Sequence, residues 1–219
     1  MDPAPPFDHP IFSESLRLIE AALPPGALDG LPQPERDVVL RVIHSSGDLT
    51  LAEALSFSEG ACQAGLEALR SGAAILTDTA MAAAAVAPMA ARTFGNAVHS
   101  VLDWAPPRAP EASTRAAAGM EMALQLHPHA VVLIGSAPTA LELLLAQVQE
   151  NRVAAPPLVI GMPVGFVGVA ESKRHLAQSG LHQIALGGSR GGAGLVAAAV
   201  NALLRRAWLD QAAADSPAP

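Results

Sequence analysis

Hydrophobic residues recur at helical spacing through the first third of the chain. Between residues 11 and 22, apolar side chains stand at positions 12, 16 and 19, and the pattern ends in Pro24-Pro25-Gly26. A second apolar stripe, rich in valine and isoleucine, runs from residue 34 to residue 46 and ends at Gly47. A third apolar pattern runs from residue 58 to residue 70 and ends at Gly72. These patterns predict three lead-in helices that follow a proline-rich, extended segment at residues 1–10.

From Ala73 onward, short apolar runs alternate with longer helical patterns. The predicted strands are residues 74–76, 97–102, 130–134, 158–160 and 183–186. The predicted helices are residues 79–90, 114–126, 138–150, 169–179 and 192–212. Such alternation is typical of parallel strands joined by right-handed crossovers. The pattern therefore predicts one α/β domain over residues 1–219, a three-layer α/β/α sandwich with a five-stranded, mainly parallel sheet and a frayed tail at 213–219.

Composition narrows the class of protein. The chain has 219 residues and a mass of 22.3 kDa, and it is 51% hydrophobic but only 15% charged, which indicates a globular protein with a large core. Aromatic residues make up 3% and the net charge is −7, which disfavours a nucleic-acid partner. Twelve arginines remain available for a small polycarboxylate ligand.

The sequence gives little indication of a membrane segment or of cysteine-based chemistry. The longest uncharged apolar stretch inside the predicted fold, residues 79–91, is shorter than the ~20 residues that a bilayer requires. The N-terminal residues lack the basic region and apolar core of a signal peptide, so we expect a cytoplasmic protein. Cys62 is the sole cysteine, which excludes an intramolecular disulfide, and His127-Pro128-His129 is most simply a solvated turn. We expect no metal and no cofactor.

Loops after the predicted strands hold most of the unusual chemistry. Ligands of open parallel sheets bind at the carboxyl ends of the strands, near the point where the strand order reverses. The loops at that edge are residues 77–79, 103–115, 135–139, 161–168 and 187–194.

The loop at 161–168 is the most distinctive. It reads Gly-Met-Pro-Val-Gly-Phe-Val-Gly, and its glycines permit conformations and close approaches that other residues do not. Lys173, the sole lysine of the chain, follows near the first turn of the next predicted helix, where a cation opposes the positive helix end. A tight strand-to-helix turn with a chance cation is the alternative interpretation.

His44 is a candidate acid. It lies in the last turn of the second predicted helix, in the segment Arg-Val-Ile-His-Ser-Ser-Gly-Asp at 41–48, and Arg41 precedes it by one turn on much the same face. A histidine there also complements the negative end of the helix, which is the structural alternative to a catalytic role.

These segments resemble a known family. The sequence at 161–173 and the block at 41–48 resemble the signatures of the precorrin-8X methylmutase (precorrin isomerase) family, and Ile-Gly-Ser-Ala-Pro-Thr-Ala-Leu at 134–141 resembles a third block. The match runs from about residue 11 to residue 203 with the blocks in the family's order. The resemblance implies an isomerase that moves a methyl group from carbon 11 to carbon 12 of a tetrapyrrole in cobalamin biosynthesis.

The resemblance also implies roles for individual residues. His44 is expected to be the proton donor. The expected substrate contacts are Ser15, Arg41, Thr79, Arg115, Ser136, Thr139, Gly161, Gly165, Lys173 and Arg190. The family resemblance further implies a homodimer with shared active sites and tight retention of the product.

Two alternatives stay open at the level of sequence. Ala80 and Ala97 stand where the family tends to have glutamate and Ser136 where it has asparagine, which suits a corrin-binding protein without turnover. The glycine-rich loop at 187–194 suits a nucleotide-dependent α/β enzyme, although it follows the last predicted strand rather than the first.

Overall fold

The computed structural model describes residues 7–215. The helices are α1 (Pro10–Ala22), α2 (Gln33–Ser46), α3 (Leu51–Ala54), α4 (Ala61–Arg70), α5 (Ala80–Arg92), α6 (Arg115–Leu126), α7 (Pro138–Gln149), α8 (Val169–Gln178) and α9 (Ala193–Ala214), with a short 3-10 helix at Val101–Trp104. The strands are β1 (Leu55–Phe57), β2 (Ile75–Thr77), β3 (Val98–Ser100), β4 (Val131–Ile134), β5 (Val159–Gly161) and β6 (Gln183–Leu186).

The sheet has six strands in the order β1-β6-β5-β4-β2-β3. Strands β2 to β6 all run parallel to one another, as the alternating pattern predicted. The central strands are apolar because both of their faces are covered: all four residues of β4 are buried. After β2 the chain adds β3 on one side and then β4 on the other, so the strand order reverses between β2 and β4.

The prediction of five strands was wrong by one. Strand β1 pairs antiparallel with β6, with Leu55 opposite Leu186 and Phe57 opposite Ile184. It is only three residues long, follows α3 without a break and is partly exposed at the sheet edge. Its strand conformation is fixed by hydrogen bonds to β6 rather than by a local hydrophobic alternation, so the sequence pattern does not reveal it.

Helices cover both faces of the sheet and complete the three layers. On one face, α2, α4, α5 and α9 pack in a core that includes Val42, Leu66, Val86 and Leu203. On the other face, α6, α7 and α8 pack over Val132 and Val159. Helix α1 lies outside α2 and has no buried residue of its own. The predicted sandwich with a helical lead-in is therefore confirmed.

Element boundaries differ from the prediction by a few residues. Helix α4 begins at Ala61 rather than at 58, because the backbone N–H of Ser58 donates to Gln183 of β6 and Gly60 turns the chain with φ +73°. At the N-terminus, His9 caps α1, so Pro10 is helical; the rest of the predicted extended segment, residues 1–6, lies outside the described residues. At the C-terminus, α9 continues to Ala214, so 213–214 are helical rather than frayed, and 216–219 lie outside the described residues.

Candidate active site

Helices α1 and α2 bring together three of the predicted residues. Ser15 Oγ lies 2.7 Å from Nδ1 of His44. The Phe12 ring, one turn before Ser15, meets the His44 ring edge-on at 5.1 Å, and the Arg41 guanidinium lies 4.5 Å from the centre of the same Phe12 ring. The aromatic ring thus sets the positions of both the imidazole and the cation, a role of Phe12 that sequence reasoning missed.

The electrostatics of this group favour an anionic ligand. Burial and then neighbouring Arg205 lower the pKa of Arg41, whereas the carboxylate of Asp8 acts in the opposite direction. Arg41 Nε is buried and has no hydrogen-bond partner within residues 7–215. The pKa of His44 is lowered by burial and then by Arg41. A carboxylate placed here would satisfy Arg41 and shift the pKa of His44 upward.

Contacts beyond α2 tie the His44 group to the carboxyl edge of the sheet. The chain leaves α2 through a turn in which Asp48 accepts hydrogen bonds from the backbone N–H and the hydroxyl of Thr50. Arg190, in the loop after β6, binds Asp48 at 3.2 Å and Thr50 Oγ1 at 2.6 Å. The first residue of β1 then pairs with Leu186, the last residue of β6, so this turn lies at the carboxyl end of β6.

At the point where the strand order reverses, the buried carboxylate of Asp78 binds backbone N–H groups just before α7. Asp78, directly after β2, accepts hydrogen bonds from the backbone N–H groups of Gly135, Ser136 and Ala137 at 3.0, 2.6 and 2.7 Å. Burial raises the pKa of Asp78, while these three donors act in the opposite direction. Sequence reasoning overlooked Asp78, although a carboxylate directly after a buried strand at this edge is a recognisable signal.

This contact changes the interpretation of the loop at 135–139. The backbone N–H groups of Gly135, Ser136 and Ala137, which could otherwise bind a substrate carboxylate, already bind Asp78. The side chains of Ser136 and Thr139 remain exposed, and Thr139 Oγ1 lies 2.7 Å from the Thr114 hydroxyl. Any contact between this loop and a substrate therefore comes from these hydroxyls.

Thr79 and Arg115 stand at helix starts on the same edge. The Thr79 hydroxyl caps α5 by accepting from the backbone N–H of Ala82 at 3.2 Å. Arg115 is exposed, and its Nε donates to the carbonyl of Pro106 at 2.9 Å.

Glycines in the 161–168 loop serve two different purposes. A Cβ on Gly161 would lie 2.3 Å from Leu176, so this position is required for packing of β5 against α8. Gly165 has φ +133°, a conformation that side chains rarely adopt, and its N–H donates to the carbonyl of Ser189. Between Gly165 and Gly168 the Phe166 and Val167 side chains are 94% and 90% exposed, an apolar tip at the edge of the site.

Lys173 is directed inward. It is 7% exposed, and its ammonium group donates to the carbonyls of Gly188 and Arg190 at 2.8 and 2.7 Å. Burial, and then the charge of Arg190, lowers the pKa of Lys173 to about 8. The position of Lys173 near the start of α8 is therefore explained by a tertiary contact that the sequence does not reveal: its ammonium group binds the loop after β6.

The same contacts argue against a nucleotide cradle at 187–194. Two carbonyls of this loop bind Lys173, and a Cβ on Gly191 would lie 2.0 Å from the carbonyl oxygen of Met162. The glycines thus allow close packing against the neighbouring loop. Within residues 7–215, no group of three histidine, cysteine, aspartate or glutamate side chains could hold a metal ion.

Several cavities open on the described chain, and the two largest of those described below share Glu142 and His175 in their linings. A groove of about 610 Å³ lies between α7 and α8 around Glu142 and His175, away from the His44 group. A second, of about 520 Å³, lies beside Thr139, Val167 and Gly168 at the carboxyl edge. His44 and Arg41 face a cavity of about 250 Å³, smaller than the ~300–1,000 Å³ of drug-sized ligand sites. The chemically distinctive residues, rather than cavity size, identify the site.

Fold and site together define a doubly wound α/β protein with a histidine that is hydrogen-bonded to a serine and lies near an arginine, beside the carboxyl edge of the sheet. The chain belongs to the precorrin-8X methylmutase family, whose model matches residues 10–206. It is 36% identical over 217 residues to a cobalt-precorrin-8 methylmutase of Synechocystis sp., covering 93% of this chain and 98% of that protein. It is 40% identical over 198 residues to a precorrin-8X methylmutase of Pseudomonas aeruginosa, covering 88% and 93%.

A solved structure agrees with these relatives. The precorrin-8X methylmutase of Thermus thermophilus superposes with a TM-score of 0.81 at 38% identity, covering 91% of this chain and 96% of that one. The resemblance found in the sequence is therefore confirmed. No helix of the described chain is long and apolar enough to cross a bilayer.

Proposed function

We propose that this chain catalyses the isomerisation of precorrin-8X, or of its cobalt-containing counterpart, by moving a methyl group from carbon 11 to carbon 12. The hydrogen-bonded pair of Ser15 and His44 carries the proposal, together with neighbouring Arg41, whose Nε has no hydrogen-bond partner within residues 7–215. Membership of the methylmutase family supports it.

The reaction is an intramolecular rearrangement, so the protein needs to supply a proton and a fixed geometry. His44 acts as the general acid that protonates the ring system and eases the methyl shift. When the imidazole is doubly protonated, its Nδ1–H donates to Ser15 Oγ, and the Nε2–H is left to face the substrate. Holding the macrocycle in the product-like geometry supplies the rest of catalysis.

The rim of the substrate carries acetate and propionate groups, which need cations and hydrogen-bond donors. Arg41 and Arg115 supply guanidinium groups, and the hydroxyls of Ser136 and Thr139 are exposed at the switch point. The proposed contacts also include Thr79, Gly161 and Gly165. Lys173 and Arg190, which the sequence led us to expect as contacts, instead bind the protein itself: Lys173 binds the carbonyls of Gly188 and Arg190, and the Arg190 side chain binds Asp48 and Thr50.

We further propose that the enzyme is a cytoplasmic homodimer whose sites are completed across the interface and retain the product tightly. The cavity at His44 is too small for a tetrapyrrole. Exposed Ile11 and Leu18 flank Ser15 on the outer face of α1, and exposed Phe166 and Val167 project from the carboxyl edge. A second copy that covers these apolar side chains would enclose the macrocycle.

The test is to mix the purified protein with precorrin-8X, and separately with its cobalt form, and to record the visible spectrum. We expect conversion to the product spectrum with stoichiometric product retained. His44→Ala removes the proton donor from an exposed position, so it should abolish turnover without changing the thermal unfolding midpoint by more than a few degrees.

His129→Ala is the matched control, since His129 is also an exposed imidazole but lies in the loop before β4. It should retain full turnover. Near-normal turnover in His44→Ala would remove His44 from the mechanism. A tight wild-type complex that keeps the substrate spectrum would instead establish a corrin-binding protein without turnover.

A further inference from the structure

The buried ammonium group of Lys173 connects three loops of the site. It binds the carbonyls of Gly188 and Arg190, both in the loop after β6. That loop also accepts a hydrogen bond from Gly165 through the carbonyl of Ser189, and it donates from Gly192 to the carbonyl of Met162. These two hydrogen bonds join the loop after β5 to the loop after β6, which Lys173 also binds.

The third loop is the turn after α2. The Arg190 side chain extends from the loop that Lys173 holds and binds Asp48 and Thr50. The Asp48 N–H donates to Ser46 Oγ, which itself donates to the carbonyl of Val42 in the last turns of α2. His44 lies on those same turns. A continuous set of hydrogen bonds therefore runs from Lys173 to the end of the helix that carries the proposed acid.

Solvation explains why a lysine occupies this position. A cation that is 7% exposed and near the positive end of α8 is unfavourable unless fixed dipoles compensate it. The two carbonyls provide that compensation only when the loop keeps its present conformation. Lys173 and the loop conformation consequently stabilise each other.

We propose that Lys173 is a positioning residue: it fixes the loop at 187–192 so that Arg190 holds the turn at 48–50 and thereby sets the place of His44. The expected loss of turnover rests on the proposed function, whereas the expected change in loop structure does not. It assigns Lys173 an action through Arg190 rather than a contact with substrate.

Four variants test the proposal: Lys173→Met, Arg190→Met, the double variant, and Arg174→Met. Arg174 is the matched control, because it is the adjacent basic residue, is two-thirds exposed and has only a long 3.9 Å pair with Glu171. Amide hydrogen exchange at residues 48–50 and 187–192 reports the loop and needs no substrate. We expect exchange in both segments to accelerate at least about tenfold in Lys173→Met, and to stay unchanged in Arg174→Met.

Turnover of precorrin-8X supplies the second readout. A displaced His44 should lower kcat on the order of 10–100-fold and change KM less than about threefold. Arg190→Met should lower kcat similarly, and the double variant should be no worse than about twofold below the poorer single variant, because both act through one connection. Arg174→Met should match the wild type.

Several results would overturn the proposal. Unchanged exchange at 48–50 in Lys173→Met would show that the connection does not exist, even if the wild-type protein proved inactive on precorrin-8X. A raised KM with unchanged kcat would show that Lys173 contacts the substrate directly. Fully additive losses of kcat in the double variant would show that Lys173 and Arg190 act independently of each other. If Lys173→Met fails to fold, Arg190→Met, whose side chain is 43% exposed, decides by exchange at 48–50 and by kcat.

Discussion

Buried charged side chains in this fold differ in how they are stabilised. Asp78 receives three backbone N–H groups, and Lys173 receives two carbonyls, so both charges are stabilised by main-chain dipoles. Arg41 differs, because its buried Nε has no partner within the described chain and a second guanidinium lies nearby. Asp8 offsets part of this repulsion, but the free Nε donor of Arg41 still suits an anionic ligand.

The pKa of His44 should respond to Arg41. Burial is the main cause that lowers this pKa and Arg41 the second, so Arg41→Met should raise the pKa of His44 without restoring it fully to about 6.5. NMR titration of the imidazole measures the shift. Arg36→Met, on the same helix but paired with Glu20 on α1, should leave the His44 titration unchanged; an equal shift in both variants would exclude a specific effect of Arg41.

The same pKa has a consequence for stability. The folded chain binds the His44 proton at lower pH than the unfolded chain does, so the contribution of His44 to stability is lost as the pH falls below about 6.5 toward the folded pKa. The carboxylates of the proposed substrate act in the opposite direction and favour the charged acid.

Replacing Asp78 should destabilise the fold. In Asp78→Asn, the carboxamide presents one acceptor oxygen to three backbone donors, so at least one buried N–H faces an NH₂ group. We expect the free energy of unfolding to fall by about 2–3 kcal/mol, measured by urea denaturation. Asp103→Asn changes an exposed carboxylate and should alter it by less than about 0.5 kcal/mol. A stable Asp78→Asn protein would show that the helix start does not need the anion.

At the scale of elements, close approaches set where the helices lie. Gly119 lets α6 lie against the 3-10 helix at Val101–Trp104, and Gly135 lets the loop after β4 contact the start of α9 at Gly192. Both positions act through the absence of a side chain, which a hydrophobic pattern does not display. The edge strand β1 is similar, since its conformation depends on β6.

Gly119→Ala tests such an approach. Its Cβ would lie 2.0 Å from the carbonyl oxygen of Val101, and because that atom is backbone, α6 itself would have to shift. We expect the free energy of unfolding to fall by about 3 kcal/mol. Gly194→Ala is the matched control: it lies in the first turn of α9 with no atom within 4 Å of a Cβ, so stability should stay equal or rise by up to about 1 kcal/mol. Equal losses in both variants would contradict the steric explanation.

At the scale of the whole molecule, the topology brings distant segments to one edge. Residues from α1, α2, the switch-point loop and the last two strand loops converge there, and the exposed apolar side chains of α1 and the Phe166–Val167 tip lie beside them. Exposed apolar patches that border a ligand site are typical of an association surface. This supports the proposed homodimer with shared sites.

Light scattering after size exclusion tests the dimer. We expect a mass twice 22.3 kDa. Ile11→Glu places a charge in the proposed interface, on a side chain that is 73% exposed in the single chain, and should shift the protein toward monomer and lower turnover. Met122→Glu, on α6 and 47% exposed, should leave the dimer intact. A wild-type mass of 22.3 kDa would contradict the proposal.

The sequence by itself determined the class of fold, the parallel strands β2 to β6 and the family, because these depend on local periodicity and on contiguous motifs such as the glycine loop at 161–168. It also singled out His44 and Arg41, since one helical turn fixes their relation. Their assigned catalytic roles stay proposals.

Only the tertiary structure decided what distant residues do to one another. It placed Asp78 on the amides of Gly135 to Ala137, turned Lys173 inward to the loop after β6, and added β1 as a sixth strand. These contacts join residues that are between 15 and 131 positions apart, as in the Lys173–Gly188 and Leu55–Leu186 pairs. Local sequence patterns do not reveal such pairs, because the pairs are stabilised by burial and hydrogen bonds that exist only once the layers have packed.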